Sequence, residues 1–479
     1  MSVEDSLAAP VIVWFRDDLR LTDHPALDVA KASGRKVLCL FVLEEGTERR
    51  SLGAASRWWL DKSLASLDGD LRRLGGRLVL RRGDPRLILP DVAASTGATG
   101  VYFNRRYDRE GSAIDETVAA ELARQGVSVS SHMAWLLFEP GTIRTKTGGT
   151  FRVFTPFWKA HRPHLSPRSA LHRRPDALSF FGGAVASEPL ASLGLHPTRP
   201  DWSGGLAASW TPGEAGAKAR LVAFLDGGLS RYAAERDFPA IEASSRLSPH
   251  LRFGEVAVAR VAHEVLKVQE AGSVPVEAAE KFLAEIGWRE FAWHLLAAFP
   301  DLARRNYQAG FDSFPWQDDA SAFKAWTTGH TGYPIVDAGM RELWQTGFMH
   351  NRVRMIAASL LVKHLLIHWR QGEQWFWDTL VDADLASNPF GWQWVAGTGA
   401  DAAPYFRVFN PTAQGEKFDP EGTYVRRFVP EIADLPNRQL HCPWQAPPLL
   451  RPDPSLYPPP IVDHDAGRKR ALGAFAQCR

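Results

Sequence analysis

The sequence predicts an α/β domain with a Rossmann-like parallel sheet, followed by a larger all-helical domain. After about residue 216 the strand-like runs end and helical periodicity takes over. Before that point, short apolar runs alternate with helix-like segments such as Ala55–Leu74, which is typical of a parallel sheet covered by helices. These runs are Val11–Phe15, Val37–Leu43, Leu78–Leu80 and Val101–Phe103.

Three segments are predicted along the chain: the α/β domain over 1–135, a connector over 136–215 and the helical domain over 216–479. The connector contains HRPHLSPRSALHRRP, whose Pro, Ser, His and Arg content is typical of a linker. Neither a GxGxxG nor a Walker A motif follows the strands, so the usual phosphate loop is not predicted. Periodic stretches of the helical domain are Val276–Phe299, Gly339–Trp344 and Arg352–Trp369.

The composition narrows the class of protein. The net charge of +2, from 56 Lys and Arg against 54 Asp and Glu, does not by itself indicate a nucleic-acid binder. Cys39, Cys442 and Cys478 are far apart and predict neither disulfides nor a metal site. The start MSVEDSLAAP is unlike a signal peptide, and no apolar run is long enough to span a membrane. We therefore expect a cytoplasmic protein. A monomer is also expected, although the composition does not itself indicate the oligomeric state.

Two pairs of residues and one short segment suggest ligand contacts. Glu285 and Trp288 share one helix face, where an indole could stack on a planar ligand while the acid bonds a carbonyl. A core Trp beside a solvated Glu fits the same spacing. Asp382 and Asp384 could bond a ring or sugar, or simply cap helices. Ser244–Ser248 could form an anion site at a helix start, or an ordinary N-cap.

Nine segments resemble the signatures of the photolyase/cryptochrome family, in the family's order from about Val11 to Pro411. The first is VIVWFRDDLRLTDHPAL. The others are ERDFPA, SSRLS, WREF, TGYPIVDAGMREL, MHNRVRM, DADLASN, GWQW and DAAPYFRVFNP. The resemblance implies that the helical domain binds FAD in a folded-up conformation.

Residue roles follow from positions within these motifs. The resemblance implies that FAD phosphates and the ribityl chain contact Tyr232, Ser244, Ser245, Arg246, Leu247 and Ser248. It implies that the flavin and its sugar contact Asn351, Arg354, Asp382, Asp384 and Asn388. The residues implied to line the lesion pocket or face the DNA are Glu285, Trp288, Trp394, Met355, Arg236, Arg289, Arg352 and Arg407.

Within the family, three features favour the enzyme deoxyribodipyrimidine photo-lyase, which repairs cyclobutane pyrimidine dimers in DNA with light. Asn351 and Met355 stand where (6-4) enzymes and animal cryptochromes resemble one another in having His, whose proton (6-4) chemistry needs. Asn388 resembles repair enzymes, whereas plant cryptochromes have Asp. A long C-terminal extension is also absent from this sequence. The alternatives are a cryptochrome-like blue-light receptor and a nucleic-acid-binding helical module without redox chemistry.

Two further expectations concern electrons and light. By resemblance, Trp392, Trp369 and Trp316 form a chain that reduces the flavin from the surface, with Trp375 and Trp377 as a parallel branch. An antenna chromophore is also expected in or beside the α/β domain. Methenyltetrahydrofolate is preferred over a deazaflavin because Glu110 resembles the folate-binding Glu, although it lies one position early.

Overall fold

The computed structural model describes residues 9–166, 171–405 and 407–478, which fall into two compact units. The first unit comprises Met1–Thr150, Trp158–Gly227 and Ser245–Pro300. The second comprises Phe151–Phe157, Gly228–Ser244 and Asp301–Arg479. The predicted segments 1–135, 136–215 and 216–479 follow the change from strands to helices and do not coincide with these units. Residues 167–170 of the predicted connector lie outside the described residues.

The first unit contains a five-stranded parallel sheet with the order β3-β2-β1-β4-β5. Strand β1 (Val11–Phe15) is central and fully buried, because all five of its side chains are apolar and both its edges are paired. The Rossmann-like parallel sheet is therefore confirmed, although the edge strand β5 is not among the predicted ones. The other strands are β2 (Val37–Glu44), β3 (Leu78–Gly83), β4 (Gly100–Asn104) and β5 (Ser128–His132).

Helices connect successive strands of this sheet. Asp84 and Asp108 start two of them by accepting the backbone N–H groups of Arg86 and Gly111, as N-cap residues do. The predicted helix over Ala55–Leu74 is confirmed as α2. The connecting helices are α1 (Pro25–Ala32), α2 (Ala54–Arg73), α3 (Pro85–Thr96) and α4 (Arg109–Arg124).

Seven more α-helices follow among the described residues before residue 300. In the longest of them, α11, Gly287 lies against the ring of Trp158, where an added Cβ would come within 2.5 Å of a ring carbon. At this position any residue with a Cβ would collide with the Trp158 ring, so glycine allows the close contact. The seven are α5 (Phe154–His161), α6 (Gly204–Ser209), α7 (Glu214–Ala223), α8 (Leu229–Glu235), α9 (Ser248–Arg252), α10 (Val258–Glu270) and α11 (Val276–Ala298).

The second unit is helical throughout its described part, as predicted. Its core contains fully buried Trp326 and Trp369 among aliphatic side chains. In addition to α8, its helices are α12 (Ala320–Thr327), α13 (Pro334–Thr346), α14 (Asn351–Ser359), α15 (Trp369–Thr379), α16 (Ser387–Ala396), α17 (Pro411–Phe418), α18 (Thr423–Phe428), α19 (Asn437–Leu440) and α20 (His464–Ala476).

The predicted helix over Arg352–Trp369 is interrupted. After α14 the chain makes a π-helical turn at Leu360–His364, and Leu366 then takes a left-handed φ of 55°. Nδ1 of His368 accepts the N–H of Arg370 at 3.1 Å and so begins α15. Trp369 is therefore the first residue of a new helix. The predicted continuous helical periodicity over Arg352–Trp369 is wrong, because it assumed α-helical spacing through the π-helical turn.

Among the described residues, none of the helices has both the length and the apolarity needed to cross a membrane.

Candidate functional site

Arg354 and Asp382 form a bidentate ion pair in the second unit. Nη1 and Nη2 of Arg354 lie 3.1 and 2.8 Å from the two carboxylate oxygens of Asp382. Nε of Arg354 donates to the carbonyl oxygen of Met349 at 2.7 Å. Planar charge-assisted pairs of this kind hold both side chains in one orientation. The structure thus brings together two of the residues predicted to contact the flavin.

The side chain of Asp384 accepts hydrogen bonds from backbone N–H groups. Its Oδ1 accepts the N–H groups of Ala386 and Ser387 at 2.8 and 2.5 Å, at the start of α16. Asp384 lies two residues before the N-cap residue Ala386, so its bonds are close to the helix-cap role that the sequence also allowed. Of the two predicted aspartates, Asp382 therefore has the arrangement that better fits an oriented ligand contact.

Asn388, on α16, is held by Glu373, on α15. The Nδ2 of Asn388 donates to the backbone oxygen of Glu373 at 3.0 Å and to its Oε1 at 2.8 Å. Both residues are buried. Because the two N–H bonds of the amide are engaged, its oxygen is the atom left to meet a ligand. Sequence reasoning missed Glu373, whose only signal was a carboxylate four residues after Trp369 in a helix with a buried apolar face.

Asn351 and Met355 lie one helical turn apart at the start of α14. The Nδ2 of Asn351 is 3.9 Å from the sulfur of Met355, and Asn351 is exposed while Met355 is half-buried. Neither side chain carries a proton that titrates near neutral pH. The structure therefore places the predicted pair side by side.

The arginines predicted to face DNA differ in their surroundings. In the second unit, Nη2 of Arg352 donates to Asp237 at 2.6 Å, and Nε of Arg236 lies 3.7 Å from the same carboxylate. Both guanidinium groups are largely buried, whereas Arg407 is exposed. Arg407 is therefore the most accessible of these three arginines.

Glu285 and Trp288 lie in the first unit, both half-buried on one face of α11 as predicted. Lys281 is 3.9 Å from Glu285. Arg289 instead turns inward: it donates to the carbonyl oxygen of Trp135 at 3.1 Å and stacks over its ring. The prediction that Arg289 faces DNA is not supported by these contacts, because its guanidinium is engaged within the unit.

The predicted phosphate-contacting residues fall in both units. Ser244 and the buried Tyr232 belong to the second unit, and Arg236 lies over the ring of Tyr232. In the first unit, Arg246 has a left-handed φ of 51° and stacks on Trp210. The remaining members are Ser245, Leu247 and Ser248. The hydroxyl of Ser245 accepts the N–H of Leu247, and Ser248 is the first residue of α9.

The three tryptophans of the predicted chain all lie in the second unit and differ in burial: Trp369 and Trp392 are buried, and Trp316 is half-buried. Trp394, which is predicted to line the lesion pocket, is also half-buried. The ring of His368 lies 5.6 Å from that of Trp369 and 4.9 Å from that of Trp316, between their centroids. Burial, with a contribution from Arg370, lowers the pKa of His368 to about 4, so this ring is neutral at pH 7.

Other indoles of the second unit bear on the predicted parallel branch. Trp375 stacks on the exposed Trp344, with ring centroids 6.0 Å apart and planes 9° from parallel. Trp377 is buried. Trp326 is also buried and lies 6.0 Å from Trp392, a contact that sequence reasoning missed.

A cavity in the first unit is lined by charged and aromatic side chains. Beside it, the pKa of Asp17 is lowered, because Arg252 and Arg49 outweigh the opposing effect of burial. Glu110 is not among the residues that line the cavity. These residues are Arg16, Asp17, Asp18, Arg49, Asn104, Arg105, Arg106, Tyr107, Asp108, Ala134, Trp135 and Trp293.

The second unit's groups fit a flavin. The flavin ring carries both donors and acceptors along one edge. The oriented Arg354–Asp382 pair and the oxygen of Asn388 offer partners for both kinds of group. The buried Trp392 supplies an oxidisable ring within the same unit. Among the described residues, no group of three or more His, Cys, Asp or Glu side chains could hold a metal ion.

Comparison with known proteins identifies the class. A family model described as DNA photolyase matches residues 11–176, and one described as the FAD binding domain of DNA photolyase matches residues 282–477. The chain is thus a flavoprotein with an FAD-binding domain.

The similarity to individual relatives covers nearly the whole chain. It is 50% identical to a deoxyribodipyrimidine photo-lyase of Agrobacterium fabrum over 98% of both chains, and 39% identical to cryptochrome-1 of Arabidopsis thaliana over 97% of this chain and 70% of that one. A solved class III photolyase from Agrobacterium tumefaciens matches with a TM-score of 0.95 and 49% identity, over 100% of this chain and 99% of that chain. The chain belongs to the DNA photolyase/cryptochrome family, and within it is an enzyme of the deoxyribodipyrimidine photo-lyase type.

Proposed function

We propose that this protein splits cyclobutane pyrimidine dimers in DNA, using light and an electron from reduced FAD. The observation that carries the proposal is the buried Asn388 amide fixed by Glu373, which offers an uncharged oxygen rather than an acid. A neutral acceptor is suited to a reduced, N–H-bearing flavin edge. The 50% identity with a photo-lyase over 98% of the chain supports a repair enzyme over the cryptochrome-like receptor.

The chain's own residues would act as follows. FAD, when bound and reduced, supplies the electron. Arg354, Asp382 and Asn388 hold its ring in one orientation.

A flipped-out dimer costs a few kcal/mol to extrude, and stacking on Trp288 and Trp394 offsets this by roughly 1–3 kcal/mol per base. Glu285 bonds a dimer carbonyl and stabilises the charge that develops there. Arg407, and Arg236 and Arg352 to a lesser extent, contact phosphates without sequence preference.

Light-dependent repair of a thymine-dimer oligonucleotide tests the proposal, with a (6-4) oligonucleotide as the parallel substrate. Because Asn351 and Met355 lack a proton to donate, we expect dimer splitting and little (6-4) repair. A flavin-containing protein that splits neither lesion would instead be a cryptochrome-like receptor. A protein purified without flavin absorbance would favour the nucleic-acid-binding module.

FAD is expected to be bound without a covalent link. Heat or acid should then release the flavin into the supernatant, whereas a covalent link would keep the colour with the precipitate. Gel filtration with light scattering tests the expected monomer, and fractionation of cells tests the cytoplasmic location.

An antenna chromophore in the first unit is a further part of the proposal. Trp135, Tyr107 and Trp293 line a small cavity of this unit, and their rings offer faces on which part of a planar chromophore could stack. Folate remains preferred over a deazaflavin, although Glu110 lies outside the lining. The absorption spectrum and mass spectrum of protein purified from its own organism distinguish the two, and a spectrum of FAD alone would argue against any antenna.

A further inference from the structure

We propose that Asn306 and Asp312 make Trp369 the ring on which positive charge is best stabilised during photoreduction. This inference rests on the proposed route through Trp392, Trp369 and Trp316. It adds two residues that lie outside the motifs of the sequence, in the second unit before α12. Both act through Trp369 and are positioning residues for electron transfer.

The contacts form a short relay. The indole Nε1 of Trp369 donates to Oδ1 of Asn306 at 2.8 Å, and Nδ2 of Asn306 donates to Oδ1 of Asp312 at 2.7 Å. An indole N–H is only a donor and a carboxylate is only an acceptor. Each end therefore fixes the orientation of the amide independently, with its oxygen toward Trp369.

The other two rings of the route lack this arrangement. The indole nitrogens of Trp392 and Trp316 are buried, and neither has a hydrogen-bond partner among the described residues. Loss of an electron makes an indole N–H a stronger donor, so an acceptor already in place stabilises the oxidised ring more than the neutral one. Trp369 alone of the three gains this stabilisation.

Electrons and protons balance in this scheme. Trp392 gives an electron to the excited flavin, Trp369 then gives one to oxidised Trp392, and Trp316 gives one to oxidised Trp369. A thiol in solution finally reduces oxidised Trp316 and releases its proton to water. Two such passes, with one proton taken up from water, complete the reduction from oxidised FAD to its fully reduced anion, and the two thiols couple to a disulfide. The proton of Trp369 stays on Nε1, because an amide oxygen is a weak base.

The start of α15 works against this charge. Trp369 is the first residue of the helix, near the positive end of its dipole. The carboxylate of Asp312 opposes that field through the amide. Asp312 is exposed, so water screens its contribution and the direct bond from Asn306 is the larger effect.

The test compares flavin photoreduction with a thiol reductant in four variants. Asn306→Leu removes the acceptor at similar size, and we expect photoreduction to slow about tenfold, which corresponds to roughly 1.4 kcal/mol. Asp312→Asn keeps an acceptor and removes the charge, so we expect a slowing of about twofold. The double variant Asn306→Asp with Asp312→Asn places the carboxylate on the indole and should restore at least the parent rate. Asn437→Leu is the matched control.

Asn437 accepts from Arg426 and donates to Glu421, the same arrangement without a tryptophan, so its loss should leave photoreduction unchanged. Transient absorption should show less oxidised Trp369 in Asn306→Leu, while chemically pre-reduced enzyme repairs dimers normally. Normal photoreduction in Asn306→Leu overturns the inference if Trp369→Phe abolishes photoreduction. If Trp369→Phe has no effect, the proposed route itself is wrong. Should Asn306→Leu fail to bind FAD, the double variant decides: photoreduction no faster than in Asp312→Asn overturns the inference.

Discussion

A buried ion cluster in the first unit and a buried amide in the second unit differ in how their polar atoms are paired. In the first unit Arg106 contacts Glu44 and also Asp115 at 2.6 Å, and each of these charges has a counter-charge. In the second unit Asn388 has its N–H groups bound by Glu373 and its oxygen accepts no hydrogen bond from the described residues. Paired charges fix a fold, whereas a fixed group with one available atom marks a ligand site. Changes that break the Arg106 pairs should therefore affect stability, and changes in the tryptophan route of the second unit should affect electron transfer.

The largest expected effect is on photoreduction. Trp392→Phe should abolish it from the oxidised state, because phenylalanine is much harder to oxidise, while chemically pre-reduced enzyme still repairs dimers. The measurement is flavin absorbance under illumination with an external reductant. Trp377→Phe, another buried indole, is the comparison: if it alone abolishes photoreduction, the parallel branch dominates. Loss of repair by pre-reduced Trp392→Phe would show a structural role.

The second-largest effect is expected when a buried charge pair of the first unit is broken. Arg106→Met leaves Glu44 buried without its cation and leaves Asp115 with Arg16 alone, and removal of one partner of a buried pair costs about 3–5 kcal/mol. We expect a lower denaturant midpoint with the flavin still bound before unfolding. Arg124→Met, which removes an exposed partner of Glu121, should change the midpoint little. Equal losses in the two variants would contradict the distinction between buried and exposed pairs.

Glu290 provides a pH test within the first unit. Burial raises its pKa from 4.5 to about 7, although it accepts the N–H groups of Leu137 and Phe138 and an Arg289 donor. Because the folded state binds this proton more tightly, the contribution of Glu290 to stability falls as pH rises from about 4.5 to about 7.

Unfolding should therefore be compared between the parent and Glu290→Gln over that range. The parent should lose stability relative to Glu290→Gln by at most about 3 kcal/mol as the pH rises. A difference independent of pH would mean that folding does not shift the pKa of Glu290.

The smallest effect is expected for Glu285. Glu285→Ala should lower the quantum yield of dimer splitting roughly two- to tenfold, the scale of one hydrogen bond of about 0.5–1.5 kcal/mol. FAD content should not change. Lys281→Ala, one turn away, removes the contact at 3.9 Å and should leave the yield unaltered. An unchanged yield in Glu285→Ala would rule out its bond to the lesion.

Local signals in the sequence predicted most of the fold. Continuous apolar runs indicated β1 to β4, whereas β5 has the sequence SVSSH and half-buried side chains at the sheet edge, so it lacks that signal. The predicted helical periodicity over Arg352–Trp369 failed because a π-helical turn and the left-handed Leu366 alter the spacing. The discontinuous units could not be predicted, since 151–157 and 228–244 join the second unit through distant packing.

The site was predictable where a motif carried it. Arg354 and Asp382 meet as a pair, although 28 residues separate them. Glu373 and Asn306 were missed because each acts through a hydrogen bond to a residue 15 or 63 positions away, with no local pattern to reveal it. Asp384 and Arg289 show the converse, since a motif position does not reveal that a backbone or a neighbouring ring has engaged the side chain.

The π-helical turn at Leu360–His364 makes chain length a determinant of cofactor chemistry. A π turn holds one more residue than an α turn, so deletion of a single residue there could restore regular α-helix. If the chain kept the π turn instead, everything beyond the deletion would be drawn back by one residue, which is about 100° around a helix. Trp369 would then leave Asn306, and His368 would leave Trp316, with every side chain of the route still present. In this stretch the number of residues matters as much as their identity.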